Sequence, residues 1–417
     1  MRLKKRARMP TFVALGSTRK TKMMKMRDTL NAFLDYPDAP PPASGEGPLA
    51  GLTLGVKDIF DVAGYPTGGG NPRRAEIHSR APDTTPPIQS LLDAGARFIG
   101  KTQTDELTFS MIGQNAHYPA PVNRAAPQRF TGGSSSGSAA AVAGGLADIA
   151  AGSDTNGSIR APASYCGLIG LRTTHGRIPL DGAMPLAPSF DTFGWFARDA
   201  ATYARVGEVL LGNDPYDDDL ARPVRIPEFE ALLFGEKERA VYGTMLSTVV
   251  HHFDREAAFL ALPGSPEQLF ECFRIIQTFE AWEVHGDFIR SAKPELGPGV
   301  RERFEFGSRI SAATVAGARA ERRRFQQDFA ALFDHDMVLV MPTQPTAAPL
   351  KSATQEELDR YRGLALKLTA IAGLLGWPEI TIPLGQVHGA PFGISLLGPA
   401  GSDRQLIRLA ADILSGS

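Results

Sequence analysis

Two serine-bearing loops and one lysine raise the question of chemistry in this chain. Thr131–Gly137 reads TGGSSSG, Gly152–Arg160 reads GSDTNGSIR, and Leu52–Ile59 reads LTLGVKDI. A serine hydroxyl is a poor nucleophile at neutral pH and needs a base. Apart from His175, no histidine lies in or near either loop, so a Ser-His-Asp triad has no obvious base. A lysine can replace the histidine if it is neutral at rest. Lys57 in an apolar strand is desolvated, which lowers its pKa. Taken alone, Lys57 reads first as structural, a snorkelling side chain or the ion-pair partner of Asp58. The distant pair Ser134 and Ser158 shifts the balance toward chemistry.

Gly-rich loops have other meanings. Gly132–Ser138 (GGSSSGS) approaches the phosphate-binding pattern G-x-x-x-x-G-K-[ST]. Ser138 replaces the lysine that supplies charge to the terminal phosphates. Gly133–Gly137 formally satisfies G-x-S-x-G, but that elbow requires a buried strand feeding the turn. Its feeder, Asn123–Phe130 (NRAAPQRF), is polar and broken by proline. Cys166, in YCGLIGL, reads as a buried structural thiol. Arg160 reads as an ion-pair partner of Asp154. His117 and His175 read as structural or pocket-lining. His251-His252 has no acidic or Cys partner at metal spacing, so neither a metal site nor a cofactor is expected.

The elements that must hold these residues follow a β–α–β rhythm. Leu52–Ile59 reads as a buried strand, Thr85–Ala94 as a helix ending at Gly95, and Arg97–Gly100 as the start of a strand. Ser134–Gly145 reads as a tightly packed small-residue helix. Ile149–Ala151 follows as a strand and Ala200–Leu211 as an amphipathic helix. Residues 228–333 are strongly helical in pattern, with Glu321-Arg322-Arg323-Arg324 placed on a solvated face. Met337–Met341 is a buried-strand candidate, Ile380–Pro383 and Phe392–Leu397 a late strand pair, and Asp403–Leu414 a closing helix. A short helix is expected over Asp28–Leu34, followed by a Pro-rich connector that completes residues 28–50. The fold class is therefore α/β.

With 43% apolar and 21% charged residues among 417, the composition excludes a coiled coil, a collagen-like fibre and a wholly disordered chain. No apolar run reaches the roughly 18–20 residues of a spanning helix. Two cysteines exclude a disulfide framework. The net charge of −1 hides an asymmetry: residues 1–27 hold ten basic groups and no acid, leaving a formal −11 on the rest. That start reads as an arm for nucleic acid or membrane, a targeting presequence, or a disordered or mis-started leader.

The two loops and the lysine segment closely resemble the amidase signature family. The matching stretches are Gly55–Asp58, Gly132–Ala140, Gly152–Arg160, Pro162-Ala163 and Cys166-Gly167. The likeness runs from about Gly51 to the C-terminus, so the basic start lies outside it. It implies a mixed, twisted β-sheet covered on both sides by helices, as one domain over 51–417 with a helical insertion at about 228–333. It implies Ser158 as the acylated nucleophile. Ser134, after a cis peptide bond to Gly133, would relay the proton to Lys57, which acts as base and then as acid. The backbone N–H groups of Thr155, Asn156, Gly157 and Ser158 would form the oxyanion hole. Asn156 departs from the family's usual Gly, Ser136 from a common Gly, and Ser153 from a usual Thr.

Within the family the chain is most similar to short, single-domain amidases of the plant indole-3-acetamide hydrolase type. VKDIFDV (56–62), GQNAHY (113–118), PASYCG (162–167) and SFDTFGWFARD (189–199) carry that likeness. It implies hydrolysis of a small primary carboxamide, an aryl- or indolyl-acetamide first, to acid and ammonia. Met111, Gln114, Asn115 and Ser135 are the implied pocket residues. The partner is a small-molecule amide rather than nucleic acid or membrane, a homodimer is allowed, and the compartment is cytoplasmic. Two other readings remain: the glutaminase subunit of a glutamyl-tRNA amidotransferase-like complex, and a non-catalytic amidase-like binding module.

Overall fold

The computed structural model describes residues 28–36, 39–216, 219–253 and 255–416. The basic start, 1–27, lies outside them. Ten strands form one mixed sheet: β1 (Thr53–Lys57), β2 (Arg97–Thr102), β3 (Ile149–Asp154), β4 (Ile169–Arg172), β5 (Thr192–Ala197), β6 (Arg222–Arg225), β7 (Ala258–Phe259), β8 (Met337–Pro342), β9 (Glu379–Val387) and β10 (Ala390–Leu397). Their order is β2-β1-β3-β5-β4-β9-β10-β8-β6-β7. β1 runs parallel to both β2 and β3, while the centre, from β3 through β8, is antiparallel.

Strand side chains alternate between faces, and here the alternation separates two cores. Val338 and Val340 of β8 join one cluster while Leu339 and Met341 join another. In β3, Ile149 and Ala151 pack on the first face, and Ala150 packs on the other with the alanines of the helix Ser136–Ala143. Both faces are thus covered, as the family resemblance implies. The expected elements from β1 to the closing helix, Asp403–Ser415, are present.

Three expectations change. Asp28–Leu34 forms no helix. Asp28 accepts the N–H groups of Leu30 and Phe33 (both 2.9 Å), and the segment runs beside β2, with Leu34 N–H bonded to the Lys101 carbonyl. Edge pairing to a ready sheet outweighs weak local helix propensity. The region 228–333 is not wholly helical, because β7 inside it pairs with β6 at the sheet edge. Arg322 leaves the solvated face predicted for it: its guanidinium donates to the Leu374 and Gly373 carbonyls and lies 4.3 Å over the Phe190 ring. Among the described residues no helix is long and apolar enough to cross a membrane.

Candidate active site

Lys57 ends β1, fully buried. Its Nζ lies 2.7 Å from Ser134 Oγ and 2.9 Å from Ser153 Oγ. Burial pushes the amine down to about 7; the more distant carboxylates of Asp105, Asp154 and Asp191 pull the other way and do not restore it. Asp58 is not its partner. The Asp58 carboxylate meets Lys101 Nζ at 3.2 Å and accepts from Tyr36 at 2.5 Å.

Ser134 follows a cis bond from Gly133. Its carbonyl accepts the Asp105 N–H (3.1 Å) and the Thr104 hydroxyl (2.8 Å). The helix that follows depends on small residues. A Cβ on Gly137 would stand 2.3 Å from the Ala32 carbonyl oxygen and 2.4 Å from Gln103 N, so only glycine brings the backbone this close. Ser135 serves this packing: its hydroxyl donates to the Ser153 carbonyl (3.2 Å) and accepts the Ser153 N–H (3.3 Å).

Ser158 sits where β3 turns into the helix Arg160–Cys166. Asp154 closes that turn, accepting the N–H groups of Gly157 (2.8 Å), Ile159 (3.1 Å) and Arg160 (3.4 Å). Gly157 takes φ +95°, and a Cβ there would press on Thr369 at 2.9 Å. Arg160 grips Asp154 through Nε (3.0 Å) and Nη2 (2.9 Å), and reaches Glu379 at 2.5 Å. Arg172 meets the same carboxylate at 3.2 Å and the Thr155 carbonyl at 3.1 Å. Burial raises the Asp154 pKa, but Arg160 and then Arg172 outweigh it and hold the carboxyl well below the usual range. The Thr155 hydroxyl donates to Asp191 at 2.6 Å.

The expected oxyanion donors divide. The Gly157 N–H is spent on Asp154, so it is unavailable to a substrate oxygen. Those of Thr155, Asn156 and Ser158 make no hydrogen bond among the described residues. The predicted pocket residues divide as well. Met111 lines a cavity of about 60 Å³ that includes Ser158 and Asn156. Gln114 lines a larger neighbouring cavity of about 560 Å³. Asn115 instead donates to the Gly70 and Thr104 carbonyls (2.8 and 2.9 Å), and Ser135 is committed to Ser153, so neither lines the Ser158 cavity. A third cavity, about 280 Å³ and walled by Ile59, Leu180, Met184, Pro185 and Leu186, adjoins it at Thr108 and Thr155.

Sequence reasoning missed Asp191, Glu379, Arg172 and Thr369, which fix the loop from distant strands and helices. Ser153, read from the sequence only as a departure from the usual Thr, turns out to be a hydrogen-bond partner of Lys57. Cys166 is the buried thiol expected, its pKa pushed up by burial.

The sequence profile described as Amidase matches residues 35–262 and 267–407. The chain belongs to the amidase family. It is 38% identical to Amidase 1 of Arabidopsis thaliana over 93% of this chain and 98% of that one. It is 36% identical to Amidase 1 of Oryza sativa over 93% and 95%. A solved structure described as an amidase superposes with a TM-score of 0.80 at 30% identity, covering 89% of this chain and 86% of the other. In this amidase-family chain the lysine, the cis-linked serine and the second serine loop occupy neighbouring ends of β1 and β3.

Proposed function

We propose that this chain is an amidase that hydrolyses a small primary carboxamide to a carboxylic acid and ammonia through an acyl-enzyme. The observation that carries the reading is the buried Lys57 amine, 2.7 Å from Ser134 Oγ and depressed to about 7. A neutral amine keeps a lone pair, so Lys57 accepts from the Ser134 hydroxyl while donating to Ser153. Ser134 then accepts the Ser158 proton as Ser158 Oγ attacks the carbonyl carbon. The Thr155, Asn156 and Ser158 N–H groups receive the developing oxyanion; a single such donor is worth about 10²–10³ in rate. The proton returns from Lys57 through Ser134 to the leaving nitrogen as the C–N bond breaks. Water repeats the cycle on the ester, releasing acid and Ser158.

The apolar cavity beside Thr155 supports an aryl or indolyl arm on the acetamide. Two free, buried cysteines support a cytoplasmic site of action. An ammonia-release screen over acetamide, malonamide, benzamide, phenylacetamide and indoleacetamide tests the reading. Release from an arylacetamide supports it. Release only from glutamine with added tRNA-amidotransferase partners would replace it with the amidotransferase alternative.

A further inference from the structure

The carbonyl carbon that Ser158 attacks carries three substituents, and the site offers three destinations for them. The oxygen goes to the free N–H groups of Thr155, Asn156 and Ser158. The carbon arm goes to the apolar cavity of about 280 Å³ that adjoins at Thr108 and Thr155. The nitrogen is left with the small cavity of about 60 Å³ that Ser158 itself lines.

Two carboxamide side chains line that small cavity, Asn156 from the nucleophile loop and Gln277 from the helix Pro266–Ala292. Asn156 is 5% exposed, and neither its Oδ1 nor its Nδ2 has a hydrogen-bond partner. Gln277, half-buried, makes no side-chain hydrogen bond among the described residues. A buried amide left unpaired is costly, so in a folded protein it is completed by water or a ligand. The other polar side chains of this wall are less suited to receive an N–H. The Thr155 hydroxyl already donates to Asp191 at 2.6 Å. Arg303 and Arg362 carry donors alone. An amide carbonyl oxygen, in contrast, is an acceptor with two lone pairs.

We infer that Asn156 Oδ1 and Gln277 Oε1 accept the two N–H groups of the leaving nitrogen, so that the small cavity is a leaving-group subsite selective for primary amides. A glycine at position 156, the family's usual residue, would supply no such acceptor. An ester oxygen brings no N–H and an N-methyl amide only one, so each leaves an acceptor unpaired. A site built to hydrogen-bond an N–H rejects a group that lacks it. This rests on the amidase reading and deepens it.

The test measures kcat/KM for phenylacetamide and methyl phenylacetate in the full chain and in the Asn156→Ala and Gln277→Met variants. If the ammonia-release screen favours another primary amide, that amide and the methyl ester of its acid take their place. Amide and ester form the same acyl-enzyme, so their ratio reports the leaving group. Fluorophosphonate labelling of Ser158, run in parallel, shows that each variant is folded. The amide-to-ester ratio is expected to fall about 5- to 10-fold in each variant, the scale of one neutral hydrogen bond. The wild type is expected to prefer the primary amide to its N-methyl derivative by a similar factor. A ratio unmoved in both labelled variants, with amide and ester falling together or not at all, overturns the subsite and leaves the amidase reading intact. So does an N-methyl amide turned over as fast as the primary one. A ratio that falls in one variant alone removes the other residue from the subsite. A wild type that stays unlabelled and hydrolyses no amide overturns both readings.

Discussion

Lys57 and Asp58 are chain neighbours, yet their charged ends serve separate networks. The Lys57 amine faces Ser134 and Ser153, while the Asp58 carboxylate is taken by Lys101 and Tyr36 on the opposite side of the strand. The pleat of β1 makes the separation, since successive side chains point to opposite faces. Its consequence is electrostatic. Among the described residues no carboxylate is ion-paired to Lys57, so desolvation dominates and the amine is depressed to about 7 instead of raised. An ion pair to Asp58 would favour the charged amine and oppose that depression.

The first prediction concerns pH. Lys57 titrates near 7 in the folded chain and near 10.5 when unfolded. Activity rises as pH passes through about 7. The Lys57→Met variant loses about 10²–10⁴ in kcat/KM, the usual scale of general-base catalysis, along with that titration. The same shift acts on stability. Between pH 7 and 10.5 the unfolded state binds the proton and the folded state does not, so wild-type stability gains up to about 1.4 kcal/mol per pH unit as pH rises. The melting temperature of Lys57→Met relative to wild type is therefore highest at pH 7 and below. It falls toward pH 10, as thermal unfolding across that range will show.

In the proposed mechanism Ser153 positions the base. Removing its hydroxyl in Ser153→Ala leaves Lys57 with Ser134 alone; kcat falls about 10-fold, near the worth of one hydrogen bond to a charged or reacting group. The midpoint of the pH profile moves as well. Ser153→Thr, which keeps the hydroxyl, restores both. A purely structural role would lower stability without moving that midpoint.

The charges under the nucleophile loop are interdependent. Arg160→Met leaves Glu379 without its cation and strips Asp154 of two donors. Breaking a buried pair in this way costs about 3–5 kcal/mol. Urea unfolding of Arg160→Met should show that loss. Lys367→Met, which removes an exposed pair with Glu267, should change stability by about 1 kcal/mol or less.

Gly137→Ala tests the close packing beneath Ser134. Its Cβ would collide with backbone at Ala32 and Gln103, and backbone cannot rotate away as a side chain can. Overpacking of this kind costs about 1–3 kcal/mol. Chemical denaturation measures it, and kcat falls with it because Ser134 starts the same segment.

The parts readable from the chain are those written locally. Apolar runs and glycine breaks located β1, β3, β8 and β10, and Arg160 read as the ion-pair partner of Asp154 in the same loop. Arg160 and Glu379 are 219 positions apart, and no spacing rule joins them. They meet because the helix Arg160–Cys166 packs against β9, which begins at Glu379. The Asp28–Leu34 segment was misread for the same reason: its structure comes from the β2 edge, which a local window does not contain. The Gly157 N–H was assigned to the oxyanion by resemblance, and the Asp154 carboxylate three residues earlier claims it instead.

In the proposed mechanism Ser158 is a nucleophile activated by Lys57 through Ser134. The most direct measurement treats the full chain with a serine-directed fluorophosphonate at a series of pH values and locates the adduct by peptide mass spectrometry. A single adduct is expected, on the peptide containing Ser158. Its rate of formation rises as pH passes through about 7, it is absent in Ser158→Ala, and it is strongly slowed in Ser134→Ala and Lys57→Met. A folded wild-type chain that stays unlabelled, or an adduct that persists in Ser158→Ala, would contradict it.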